Sequence, residues 1–344
     1  MTNEQWDVLL KVIARAAVDP LPVGLIIDSP WIPPWAGLSI MDYYASEEMW
    51  LESNLRVERR FPDVIFLPGF WAEWGMCTEP ASFGAKCVFH ENDFPFAEPV
   101  STDLAQLAAL NVPNPREDGL TPFVLKRLVH GRSRIEQAGH SIKFAVARGP
   151  LNIAGFLSGH TEMLVGMKTR PDLVHQLLEK VAAFLVDWIQ YQAETFDTID
   201  GILILDDLVG FLGQEDFEQF GKPYLRKVFA AIDARVRFFH NDAQGRVCAP
   251  HLGDIGVNLF NFSFEHSMSE MRQWAGNEVA LLGNIPPRDV LARGTPADVH
   301  RAVRQLLNDL PDRRGVILSC GGGTPPGVTS ENIEAMLGAA RDNP

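Results

Sequence analysis

The stretch Gly315-Val316-Ile317-Leu318-Ser319-Cys320-Gly321-Gly322-Gly323-Thr324-Pro325-Pro326-Gly327 is an apolar run that stops at a cysteine and breaks into glycines and prolines. Such a bounded run reads as a parallel strand buried on both faces. The glycines and prolines forbid its continuation and force a turn. A thiol is thereby held at the carboxyl end of a strand, the edge where parallel α/β folds assemble their chemistry.

The same pattern recurs upstream. Candidate strands are Val64-Ile65-Phe66-Leu67, Ser141-Ile142-Lys143-Phe144-Ala145-Val146, Gly201-Ile202-Leu203-Ile204-Leu205, Val236-Arg237-Phe238-Phe239, Leu259-Phe260-Asn261-Phe262, Val279-Ala280-Leu281-Leu282 and Val316-Ile317-Leu318. Amphipathic helices separate them. The clearest follows Thr169-Arg170-Pro171-Asp172, with Thr169 expected as its N-cap and a core stripe of Leu173, Leu177, Val181, Phe184 and Trp188. Another is expected after Ser330-Glu331, carrying Ile333 and Leu337. Strand and helix alternating in this way predict an α/β fold, a TIM (β/α)8 barrel spanning 61–344 as the catalytic domain. No Gly-x-Gly-x-x-Gly follows the first of these strands and no phosphate-binding loop is present, so a nucleotide-binding fold has no support. Residues 1–60 read as an aromatic and proline-rich N-terminal extension, as in Pro30-Trp31-Ile32-Pro33-Pro34-Trp35. That extension is either an arm around the barrel or a lid over its mouth.

Composition narrows the function. The chain has 344 residues, 46% of them hydrophobic, enough for one large core. No apolar stretch approaches the roughly 20 residues of a membrane helix. No basic region precedes an apolar run in Met1-Thr2-Asn3-Glu4-Gln5-Trp6-Asp7, so a cytoplasmic location is expected. The net charge of -14 argues against nucleic acid or anionic membranes as partners. The four cysteines form no Cys-x-x-Cys pair, which excludes a self-contained zinc ribbon.

Polar residues follow the strands in register: Arg148, then Asp206 and Asp207, then His240 and Asp242, then Asn284, then Cys320. In a barrel all would face one mouth. His240, Asp242 and Cys320 make a chemically reasonable zinc set, because zinc accepts imidazole, carboxylate and thiolate and a catalytic site keeps one position open. The alternative is a buried free cysteine and a hydrogen-bonded histidine. Asp206 and Asp207 are candidates for catalytic acid or base, the alternative being one capping acid and one solvated acid. Arg148, Asn284, Trp71 and Glu79 are candidate substrate-binding residues, with Glu73 a weaker one. Cys77 and Cys87 read as packing residues, and Cys248 as a possible replacement ligand.

These motifs resemble the uroporphyrinogen decarboxylase superfamily, above all its branch of cobamide-dependent methyltransferases. The resemblance rests on Gly283-Asn284-Ile285-Pro286-Pro287, Gly294-Thr295-Pro296, the Ser319-Cys320-Gly321-Gly322-Gly323-Thr324-Pro325-Pro326-Gly327 turn, Asp206-Asp207-Leu208-Val209-Gly210 and Phe239-His240-Asn241-Asp242. It runs over most of residues 20–340. It implies a TIM barrel and, in members acting on coenzyme M, zinc held by His-x-Cys and a distant Cys. His240 and Cys320 match two of those ligands, and Asp242 stands where the family has cysteine. The decarboxylases match less well. Their N-terminal Arg-Gln-Ala-Gly-Arg-Tyr type motif is missing, and Leu67-Pro68-Gly69-Phe70-Trp71 stands where they carry an aspartate.

The resemblance therefore implies a zinc-dependent methyltransferase. It would move a methyl group between a small-molecule donor or acceptor and a corrinoid (cobalamin) carried by a partner corrinoid protein. A carboxylate in place of a thiolate keeps the formal charge of the site but makes it a harder Lewis acid. That favours an O-methyl substrate over a thiol, with Trp31, Trp35, Phe70, Trp71 and Trp74 available to wall an aromatic ring. Methyl donation to a thiol or folate is the opposite transfer. A metal-free relative without decarboxylase activity, binding a small molecule or a tetrapyrrole, is the alternative class.

Overall fold

A computed structural model describes residues 1–342. Eight parallel strands form one curled sheet: β1 Val23–Ile26, β2 Val64–Leu67, β3 Phe144–Arg148, β4 Gly201–Leu205, β5 Val236–Asn241, β6 Leu259–Phe262, β7 Ala280–Ile285 and β8 Val316–Cys320. Their order is β2-β1-β8-β7-β6-β5-β4-β3, and no ladder joins β2 to β3. The sheet is a TIM-like barrel left open at that seam.

Two cores follow from the two faces of the strands, because successive side chains alternate sides. Ile26, Ile65, Leu67, Phe144, Val146, Leu203, Phe238, Leu259, Leu282 and Ile317 pack together inside the barrel. Leu25, Phe66, Ala145, Ile204, Phe239, Phe260, Leu281 and Leu318 pack outward against the helices.

The first helix, α1 (Asn3–Ile13), plugs the amino end of the barrel with Trp6, Leu9 and Val12. Trp6 meets Phe144 edge-on at 5.5 Å between centroids. Gln5 Nε2 donates to Val64 O at 3.1 Å, and Ser141 N donates to Met1 O at 2.9 Å. The helix start thus bridges the two strands that lack a ladder between them. With the amino end plugged, the carboxyl end is left for chemistry.

Residues 1–60 differ from an arm lying outside the barrel. They supply both α1 and β1, and β1 pairs with β2 and with β8. The prolines that argued against a strand flank it, at Pro20, Pro22 and Pro30, and leave Val23–Ile26 itself free to pair.

Thr169 is not the cap of the long helix Pro171–Thr195. It ends the preceding helix, where its hydroxyl donates to Val165 O at 3.0 Å, and Arg170 occupies the cap position. The expected stripe from Leu173 to Trp188 is buried throughout. The last helix, Ser330–Arg341, is capped by Thr329 and buries Ile333.

Candidate functional site

A cavity of about 730 Å³ opens at the carboxyl ends of the strands. Strand parity decides which polar residues enter it. Leu203 faces the inner core, so Asp207, four residues on, has the inner parity and Asp206 the outer. Phe144 and Val146 place Arg148 inside, Phe238 places His240 inside, and Ile26 places Asp28 inside. Arg148, Asp207, His240, Asp242 and Asp28 all line the cavity.

Three of these converge. The ligand atoms of Asp207, His240 and Asp242 lie within 4.8 Å of one another. His240 Nε2 is 3.7 Å from Asp207 Oδ1, and the Asp242 amide donates to Asp207 Oδ1 at 3.0 Å. Burial pushes the Asp207 carboxyl up to about 6, and the nearby Asp242 charge pushes in the same direction. Behind the ring, Asn261 donates both amide hydrogens, to Leu282 O at 2.8 Å and Cys320 O at 3.1 Å. Its Oδ1 is therefore an acceptor, and His240 Nδ1 donates to it at 2.8 Å. Nε2 is left facing the two carboxylates. This donor set fits a divalent cation: two carboxylates balance its charge and the imidazole tautomer is fixed from behind.

The structure regroups the expected ligands. His240 and Asp242 come together as expected, but the third member is Asp207. Cys320 lies outside the set. It has the outer parity of Val316 and Leu318, is fully buried, and donates to Gly322 O at 3.2 Å. Burial pushes its thiol up to about 12. Cys248 is also outside the set and donates to Gly245 O at 3.3 Å. Gly322, in the left-handed region at φ 135°, passes so close to Asp242 that a Cβ there would lie 3.3 Å from the Asp242 Cβ.

Asp206 is a capping acid. Its two oxygens accept the amides of Leu151 and Asn152, each at 2.9 Å, at the start of helix Pro150–Ser158. A Cβ on Gly149 would sit 2.3 Å from this carboxyl, which is why the residue before the helix has no side chain. Glu79 does not reach the cavity. It accepts the Arg148 amide at 3.1 Å and lies 3.4 Å from the Arg148 guanidinium, holding that cation in place. Arg148 in turn lies over the Trp71 ring, 5.8 Å from its centroid. Asn284 faces a different, smaller cavity with Ser267 and Met268, and donates to His266 O. Of the five candidate aromatics, only Trp71 lines the main cavity. Trp31 and Trp35 instead tie the outer wall to Val328 and Ser330. Cys77 and Cys87 are free thiols, buried and half-buried.

Two residues that matter were not expected. Asn261 sits in the run Leu-Phe-Asn-Phe, and a lone amide inside a fully buried strand was the signal for it. Asp28 follows β1, the barrel strand that its flanking prolines hide in the sequence.

A TIM-like barrel with a carboxylate and imidazole cluster at its strand ends defines a class of enzyme scaffold. Within it, the uroporphyrinogen decarboxylase (URO-D) family matches residues 5–343, and the chain belongs to that family. The uroporphyrinogen decarboxylase of Thioalkalivibrio sulfidiphilus is 24% identical, over 98% of this chain and 97% of that protein. That of Pseudoalteromonas translucida is 22% identical over 99% and 98%. Among solved structures, a methyltransferase from Methanosarcina mazei superposes with a TM-score of 0.80 at 19% identity, covering 97% of each chain. A B12-independent methionine synthase from Shewanella gives 0.61 at 12% identity, over 93% and 95%. These likenesses establish the fold. No described helix is long and apolar enough to cross a membrane.

Proposed function

We propose that the protein is a zinc-dependent methyltransferase that moves a methyl group between a small substrate and a corrinoid carried by a partner protein. The observation that carries this reading is the convergence of Asp207, His240 and Asp242 at the wall of the cavity. These three residues would hold the ion, and bound there it would supply Lewis acidity to a substrate atom. Two oxygen donors and one nitrogen make a hard site, which favours an oxygen leaving group and hence an O-methyl substrate. Asn261 fixes the ring of His240, Glu79 fixes Arg148, and Trp71 with Phe156 and Leu208 keeps the reacting space apolar. The corrinoid assignment is supported by the motif resemblance and by the fold shared with the Methanosarcina methyltransferase.

A second reading is favoured by the curated relatives, which are named uroporphyrinogen decarboxylases. A porphyrinogen bearing many carboxylates needs unpaired cations. Here Arg148 is already engaged by Glu79, Arg288 lies at the exposed edge, and Asp28, Asp207 and Asp242 face the same space. That electrostatic balance argues for a different substrate.

The test is formation of methylcobalamin from cob(I)alamin and a panel of O-methylated compounds, followed by absorbance under anaerobic conditions. Zinc-loaded wild type is expected to methylate it, and His240→Ala to lose the activity. Equal rates without zinc or with His240→Ala would overturn the reading. Carbon dioxide release from uroporphyrinogen would favour the second one.

A further inference from the structure

The cavity has a polar end that the Asp207–His240–Asp242 cluster does not use. Asp28 follows β1, on the inner parity of Ile26, and lines the cavity beside Pro30. In the strand order, β1 stands four places from β5, so in an eight-stranded barrel Asp28 and His240 face each other across the mouth. The turn that carries Asp28 is fixed, because its backbone carbonyl accepts the amides of Trp31 at 3.2 Å and Ile32 at 3.1 Å. Its carboxyl group makes no hydrogen bond to any described residue. Next to it, Thr324 lines the same cavity, 2% exposed, with its hydroxyl buried beside the Cys320 thiol. The Thr324 amide donates to Ile26 O at 2.9 Å and fixes that hydroxyl beside the Asp28 turn.

The charges behind this wall leave Asp28 over. Glu79 pairs with Arg148, and Glu73 lies within electrostatic reach of both Arg127 and Arg148. Three acids thus share two guanidiniums, and Asp28, within electrostatic reach of Arg148, is the one whose carboxyl accepts no hydrogen bond from any described residue. Tyr44 donates to Glu73, at 3.2 Å and 3.3 Å to its two oxygens, and completes that network without reaching Asp28. The cavity that Asp28 lines is also lined by Trp71, Phe94, Phe156 and Phe211, aromatic rings of the kind that suit an organic cation.

We infer that the cavity takes a small organic cation, a quaternary or tertiary ammonium group, seated between Asp28 and the aromatic residues of the cavity. The assignment rests on reading this cavity as the substrate site of the methyl transfer. The cationic end then points at Asp28, and the methylated end lies across the mouth at the Asp207–His240–Asp242 cluster. The titratable and charged groups around Asp28 are Glu73, Arg148, Tyr43 and Tyr44. Burial, reinforced by Glu73, holds the Asp28 carboxyl up at about 8, so the empty site is protonated at neutral pH. A bound cation would ionise it and release a proton.

The experiment is isothermal titration of the full chain with choline and with its uncharged isostere, 3,3-dimethylbutan-1-ol. Titrations run at pH 7 in two buffers of different ionisation enthalpy, with and without zinc. Choline is expected to bind wild type about tenfold more tightly than the isostere, the size of a partly desolvated cation contact. Release of up to one proton is expected. Asp28→Asn, which keeps the shape and the aromatic rings, is expected to lose most of that preference and to release no proton. Equal binding by wild type, no choline binding, or an undiminished preference in Asp28→Asn would each overturn the assignment. If Asp28→Asn fails to fold, as read by circular dichroism, the wild-type comparison decides alone. Choline selectivity in a protein that methylates no cob(I)alamin would sink the methyl-transfer reading and leave this one standing. Zinc-dependent methyl transfer without that selectivity would do the reverse.

Discussion

His240 is held by Asn261 through a 2.8 Å hydrogen bond from Nδ1 to Oδ1, and both amide hydrogens of Asn261 are committed to Leu282 O and Cys320 O. One residue on β6 thus sets the tautomer of a residue on β5 while being anchored to β7 and β8. The imidazole reaches the cavity already oriented, with Nε2 turned toward Asp207 and Asp242.

Asn261→Leu removes that orientation at nearly constant volume. Zinc affinity is expected to fall by about 10–100-fold, the usual cost of losing the group that orients a metal-bound histidine. The buried carbonyls of Leu282 and Cys320 lose their donors, so stability falls by about 1–3 kcal/mol as well. Competition with a chromophoric chelator, beside a thermal melt, separates the two effects.

Cys320→Ala tests the regrouping of the ligands. The thiol is buried and donates to Gly322 O, away from the three converging groups. Bound zinc is expected to stay at wild-type stoichiometry, with a small loss of stability from the vacated volume. Loss of the metal would show that the thiol belongs to the ligand set.

Asp206→Ala removes the cap of helix Pro150–Ser158. A lost cap costs about 0.5–2 kcal/mol, and here two amides are left unpaired in a buried place. Gly149→Ala drives a Cβ into the same carboxyl and is expected to cost at least as much. Chemical denaturation of both variants checks this, and an Asp206→Ala variant as stable as wild type would remove the capping role.

Asp28 gives a pH signature. Its folded value is about 8, far above the ordinary 3.8 of the unfolded chain. The folded state therefore holds the proton more tightly, and the contribution of Asp28 to stability is greatest below about pH 4. It declines as pH rises and is fully lost above about pH 8. Asp28→Asn is expected to gain stability relative to wild type across that window and to keep a constant difference above it. A difference in melting temperature that does not change with pH would contradict the assignment of the shift to Asp28.

Much of this is legible in the sequence, and what is not has two causes. The strands Gly201–Leu205 and Leu259–Phe262 were bounded correctly, because apolar runs between turn residues leave little freedom. Strand β1 was missed because flanking prolines masked a four-residue run, and Asp28 was missed with it. Asp206 and Asp207 are adjacent and chemically identical. Only the two-residue period, counted back through Leu205 and Leu203, shows that Asp207 points inward and Asp206 outward. The same count places Cys320 outward with Leu318. Strand ends are readable as positions, whereas the face they present needs the inner and outer cores to be told apart, and both faces of a parallel barrel strand are apolar.

The measurement that bears most directly on the account is zinc content per chain, by elemental analysis after loading and exhaustive dialysis, for wild type beside Asp207→Ala, His240→Ala and Asp242→Ala. One ion per wild-type chain is expected, and its loss in each of the three folded variants. A wild-type protein that retains no ion, or variants that retain it at full stoichiometry, would contradict it.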